Sequence, residues 1–139
     1  MDLTALLRGA RTVAVLGAHH EPHRPAFYVP DALHRAGVTI LPVNERLLGR
    51  TLWGQPVRAT LAELRVPVDI VDVFRRGEDV PAHLDDLLAM SPRPGCVWLQ
   101  SGIRSTVAAE ALAAVGVAVV QDRCLMVDHA RLVGRATGS

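Results

Sequence analysis

Thr12-Val13-Ala14-Val15-Leu16-Gly17-Ala18-His19-His20-Glu21-Pro22-His23-Arg24-Pro25 is the stretch whose reading decides the fold. A short run of β-branched and small apolar residues stops at a glycine. This pattern predicts a strand buried on both faces, ending in a turn. A polar loop follows, and helix-compatible sequence resumes after Pro25. Strand, glycine turn and helix together form the ligand-cradling unit of doubly wound α/β folds. In that unit the free N–H groups and positive dipole end of the helix face a phosphate. The stretch therefore points to a nucleotide or phosphate-ester site at Gly17, with a plain strand-end turn as the alternative.

The chain around this unit has the size and composition of one globular domain. Its 139 residues suit a core that buries roughly 68–70% of the unfolded surface. Half of the residues are hydrophobic and 21% are charged, which excludes a disordered chain. No apolar run approaches the ~20 residues of a membrane-spanning helix. The opening residues 1–8 are too short in their apolar part for a secretory signal and read as an amphipathic helix. A net charge of +1 argues against bulk electrostatic binding to nucleic acid. The two cysteines, Cys96 and Cys124, form neither a metal spacing nor a disulfide framework, and a reducing cytoplasm is the expected compartment.

Apolar runs and punctuation place five main strands at residues 12–16, 38–43, 68–74, 96–99 and 117–120. Helices are expected at 3–9, capped by Gly9, and at 26–36, with Pro30 either kinking that helix or lying in its first turn. Further helices are expected at 61–64 behind a Thr60 cap, from Pro81 to about 90, from Ser105 or Thr106 to 115, and at 124–132. The tail 134–139 reads as frayed. Strands alternating with helices predict a parallel sheet with right-handed crossovers, in the order second, first, third, fourth, fifth. An extra edge strand near Trp53 is a further expectation. Ligands in such sheets sit outside the carboxyl ends of the strands at the switch point, here between the first and third strands.

Several side chains at that end could carry binding. Arg24 stands at the start of the second helix, where a guanidinium can join the helix dipole on a phosphate; a solvated arginine is the alternative. Arg75 and Arg76 follow the third strand, one expected to enter the crevice and the other to face solvent or Asp72. Phe74 offers an apolar face to an adenine, or is core. Gln100 and Gly102 could line the pocket, and Trp98 reads as core. His19, His20 and His23 share one loop without an adjacent Cys or Asp, so no metal is expected. His34, His83 and His129 read as surface helix residues, and Cys124 as a buried structural thiol. The chain has no lysine, which excludes Schiff-base chemistry and a P-loop lysine. No Ser/His/Asp set or carboxylate pair emerges, so catalysis is not expected.

Six motifs, in order, carry a resemblance: Val13-Ala14-Val15-Leu16-Gly17, Arg24-Pro25, Pro42-Val43-Asn44, Val71-Asp72-Val73-Phe74-Arg75-Arg76, Val97-Trp98-Leu99-Gln100 and Asp122-Arg123-Cys124. Together they resemble the small stand-alone CoA-binding domains, which are related to the CoA-binding domain of the succinyl-CoA synthetase alpha subunit. The resemblance runs from about residue 12 to 132. It implies a Rossmann-like fold that binds coenzyme A or an acyl-CoA, with no established reaction. It also implies that Gly17, Ala18, His19 and Arg24 meet the phosphates, that Pro25 belongs to the cofactor site, and that Val43 and Asn44 lie near the adenosine. Phe74 and Arg75 would line the adenine or ribose-phosphate region, and Gln100 and Gly102 would close the pocket. His19 stands where the family often has a small polar residue. Glu45 stands where it usually has proline and places a negative charge near a polyanionic ligand.

Two rival readings accompany this one. An NAD(H)-binding enzyme or redox sensor would want glycines where His19 and Pro22 stand and an acid where Asn44 stands. A protein-interaction module with a vestigial nucleotide pocket would tolerate Glu45.

Overall fold

The computed structural model describes residues 1–134, so the expectation for the end of the tail lies outside the described residues. The elements follow in the order α1 (Leu3–Gly9), β1 (Thr12–Leu16), α2 (Pro25–Arg35), β2 (Thr39–Val43), β3 (Thr51–Leu52), β4 (Gln55–Pro56), β5 (Ile70–Val73), α3 (Leu84–Ala89), β6 (Cys96–Leu99), α4 (Thr106–Ala113), β7 (Ala118–Val120) and α5 (Leu125–His129). Five strands form one parallel sheet in the order β2-β1-β5-β6-β7, the order expected from the sequence. Thr12 pairs with Thr39 on one side of β1, while Val13 pairs with Ile70 on the other. Pro42 is tolerated in β2 because that strand is an edge, where a missing N–H costs no ladder bond.

Alternation along the strands divides the core into two layers. Ala14, Leu16, Val71, Val73, Val97 and Leu99 face Leu61, Val80, Leu87, Ala108 and Leu112. Val13, Val15, Ile70, Cys96 and Trp98 face Leu7, Val29, Leu33 and Leu125 of α1, α2 and α5. The helices thus cover both faces of the sheet, which is why its central strands read as apolar runs, broken only by Asp72 in β5.

Local chemistry moves several elements from their expected places. Helix α2 runs Pro25–Arg35 with Pro25 in its first turn and Pro30 inside it, so Pro30 marks neither a start nor a break. Gly9 is the last residue of α1, and Ala10 is the cap. The expected 61–64 helix is a single 3₁₀ turn, Leu61–Glu63, whose first amides donate to Asp86 at 2.8 and 2.9 Å. Pro81 opens no α-helix; it lies within a 3₁₀ segment, Gly77–His83, and α3 begins after it. Beyond α5 the chain continues as a π-helical turn, Ala130–Gly134.

No extra edge strand joins the sheet at Trp53. Strands β3 and β4 instead pair antiparallel as a separate ribbon, turning at Trp53 (φ 54°) and Gly54 (φ 75°). Trp53 packs its ring against Phe27 and donates its indole N–H to Asp31, so the ribbon folds back onto α2. Arg58 makes one parallel bridge to Val43 beside the sheet. Among the described residues, no helix is long and apolar enough to cross a membrane.

Candidate ligand site

The carboxyl ends of β1, β2, β5 and β6 converge on one open cavity of about 950 Å³. This is the switch point, because the chain crosses from β2 on one side of β1 to β5 on the other. The volume lies at the upper end of the roughly 300–1,000 Å³ usual for small-molecule sites.

Backbone bonds hold the floor. The Gly17 amide donates to Val43 and the Phe74 amide to Leu16, both at 2.9 Å. Gly17 has φ +87°, and a Cβ there would stand 2.6 Å from the Phe74 carbonyl oxygen. The glycine is therefore required by the packing of two strand ends as well as by the left-handed backbone. The loop after it is braced twice. The Ala18 carbonyl accepts from the side-chain amide of Asn44 at 2.9 Å, and the His19 amide donates to Ala26 at 3.2 Å.

Among the residues expected from the sequence, Gly17, His19, Arg24, Pro25 and Asn44 line one side of the cavity, and Phe74, Arg75, Gln100 and Gly102 the other. Ala18 and Val43 do not line it; both are fully buried beneath, supporting the floor. Asn44 is almost wholly buried, and its side chain serves the fold: besides the Ala18 bond, its oxygen accepts from the Arg46 amide at 3.0 Å. Gln100 is likewise internal, its side-chain oxygen accepting from the Leu125 amide at 2.9 Å at the start of α5. The Gly102 amide donates to Asp122 at 2.7 Å, and that bond, with Arg104 nearby, holds the Asp122 carboxyl below the usual range.

Four arginines surround the cavity: Arg24, Arg46, Arg75 and Arg76. Arg24 is more than half exposed and lies 3.5 Å from Glu21. Arg75 is the most enclosed of the three whose pairings are defined and meets Glu45 at 3.6 Å, while Arg76 stands exposed beside Glu78. Neither Arg75 nor Arg76 reaches Asp72. That carboxyl is completely buried on the α1/α2/α5 side of β5 without a hydrogen-bond partner in the protein, and burial pushes its pKa well above the ordinary value.

The histidines divide differently from the expectation. His19 and His20 stack at 4.9 Å, and Nδ1 of His19 accepts from the Glu21 amide. Burial, opposed by Glu21 and reinforced by Arg24, lowers the His19 pKa. His129 is buried rather than on the surface, and burial also lowers its pKa. His83 is half-buried and lies on the 3₁₀ segment; burial and then Arg75 lower its pKa. Among the described residues, no three His, Cys, Asp or Glu side chains gather as a metal cage. Cys124 is not the buried thiol: it is partly exposed and lines the cavity, whereas Cys96 is fully buried and burial pushes its pKa up to about 12.

Arg46 and Ser101, which lie in loops expected at this sheet end but were not singled out, also line the cavity, as does Tyr28, which the sequence did not point to. Arg46 was discoverable, because it follows the second strand at the same sheet end as Arg75.

These features define a class: a doubly wound parallel α/β domain with a cationic cavity at its switch point. A family model described as a CoA binding domain matches residues 11–130, and the chain belongs to that family. It is 31% identical over 129 residues to the uncharacterized protein YneT of Bacillus subtilis (strain 168), with 93% of each chain covered. Among solved structures, cell-free ID.343 from Thermus thermophilus is 51% identical with a TM-score of 0.90, covering 94% of this chain and 96% of that one. A hypothetical protein from Pyrococcus horikoshii OT3, 23% identical, shares the fold at a TM-score of 0.86, covering 96% of this chain and 91% of that one.

Proposed function

We propose that this protein binds coenzyme A or an acyl-CoA in the cavity at the strand ends and does not catalyse a reaction there. The carrying observation is the ring of four arginines around a switch-point cavity in a CoA binding domain. Coenzyme A carries a pyrophosphate and a ribose 3′-phosphate, so it needs several donors. In a chain without lysine, arginines supply them, joined by the Ala26 amide in the first turn of α2, where Pro25 has no N–H and the next two amides bond Arg24. Asn44 stands where a dinucleotide enzyme needs an acid for the ribose, and both ends of its side chain are engaged internally.

Calorimetric titration tests the reading. Coenzyme A should bind measurably and NADH much more weakly. Arg24→Ala and Arg75→Ala should each weaken coenzyme A binding by roughly 10- to 100-fold, the scale of one charge-assisted hydrogen bond. Equal or tighter NADH binding, or arginine variants that bind like the parent protein, would overturn it. Turnover of an acyl-CoA by the purified protein would overturn the non-catalytic part.

A further inference from the structure

Arg75 leaves the end of β5, but its guanidinium does not extend into solvent. Its Cζ atom lies 3.4 Å from the position of a Cβ on Gly17, over the end of β1. Its Nη2 then reaches Glu45, 3.6 Å away, at the first turn beyond β2. One side chain thus spans three strand ends and closes over the glycine on which the ligand site is built. The Arg75 side chain is 24% exposed and that of Glu45 59%, so the acid approaches from the open rim.

We propose that Glu45 is an internal competitor for Arg75, a counter-ion that a phosphate of the ligand must displace to reach that guanidinium. This rests on the function proposed above and adds to it a competing group built into the site. A guanidinium accepts carboxylate and phosphate oxygens through the same fork of donors. The Glu45 contact is long, uses one donor and is largely exposed, so it contributes little and is readily exchanged. A phosphate brings more charge and more acceptor oxygens, and exchange favours it. A ligand that brings no phosphate leaves the pair closed over Gly17. Glu45 therefore holds Arg75 in place when the cavity is empty and lowers the affinity of each ligand whose phosphate must take its place.

The test is a double-mutant cycle read by calorimetry with coenzyme A, dephospho-CoA and pantetheine. Glu45 is exposed and caps nothing, so Glu45→Gln should leave the fold intact. Glu45→Gln should tighten coenzyme A binding by roughly 3- to 10-fold. It should leave pantetheine unchanged, and the gain should vanish on an Arg75→Ala background. Equal gains for coenzyme A and dephospho-CoA would assign the competing group to the pyrophosphate; a gain for coenzyme A alone would assign it to the 3′-phosphate. Either supports the proposal. A gain that persists undiminished beside Arg75→Ala would mean general repulsion by Glu45 and would overturn it, as would no gain. Absence of coenzyme A binding by every form would instead overturn the function on which it rests.

Discussion

The His19 amide donates to the Ala26 carbonyl at 3.2 Å, and that carbonyl is the one for which Pro30 provides no helical donor. In an α-helix the N–H of residue 30 would bond the oxygen of residue 26, and proline has none. The proline inside α2 and the histidine in the loop are thus two halves of one arrangement. The helix gives up a bond, and the loop that frames the cavity takes it.

Pro30→Ala would restore a competing donor for that oxygen. We expect the His19 amide to exchange with solvent faster while helix content stays the same or rises slightly. Amide hydrogen exchange followed by NMR reads both. Unchanged His19 protection would show that the bond does not hold the loop.

Gly17 and Gly102 both have positive φ, but only Gly17 would press an added Cβ against backbone. Gly17→Ala should therefore cost more than the roughly 1–3 kcal/mol of backbone strain alone. Gly102→Ala, with nothing within 4 Å, should cost about that strain and no more. Urea denaturation of the two variants gives the comparison, and equal losses would contradict it. The same geometry makes Gly17 substitutions unsuitable as pure binding probes.

Asn44→Ala should destabilise by about 1–3 kcal/mol, because it strips the buried Ala18 carbonyl of its donor. Asn44→Asp should be worse, since a carboxylate would face that carbonyl. Thermal melts of the three proteins should fall in the order Asn, Ala, Asp.

Asp72 sets a pH dependence of stability. Its pKa is raised in the folded state, so the unfolded chain releases the proton first as pH rises. Its contribution is fully present below the unfolded-state pKa and is lost as pH climbs from there through the folded-state value. Against Asp72→Asn, the parent protein should be relatively most stable near pH 3 and lose ground toward neutrality. Parallel melting profiles for the two proteins between pH 3 and pH 7 would falsify this.

The sheet and its order were legible because the central strands are apolar runs, interrupted only at Asp72, that are separated by glycine and proline. The position of the cavity followed from that order alone. What escaped the sequence depends on partners far apart in the chain. Nothing local to Asn44 or Gln100 says that each amide is taken by backbone at residue 18 or 125. Pro30 and Pro81 misled because a proline looks like a boundary, yet a tertiary donor or a 3₁₀ geometry accommodates it inside a segment. Asp72 resembled an interruption of a strand and is instead at its most buried point.

The bracing of the strand-end loops determines where the entropy of binding falls. Ala18, Asn44, Gln100 and Gly102 are already tied into the frame by hydrogen bonds, so little backbone freedom remains to be lost when a ligand arrives. The freedom that remains lies in exposed arginines such as Arg24 and Arg76 at the rim. Each long side chain immobilised on a ligand costs about 0.5–1.5 kcal/mol. The cavity thus presents a braced frame rimmed by exposed cations, so a ligand there is expected to spend more on ordering those side chains than on rearranging the fold.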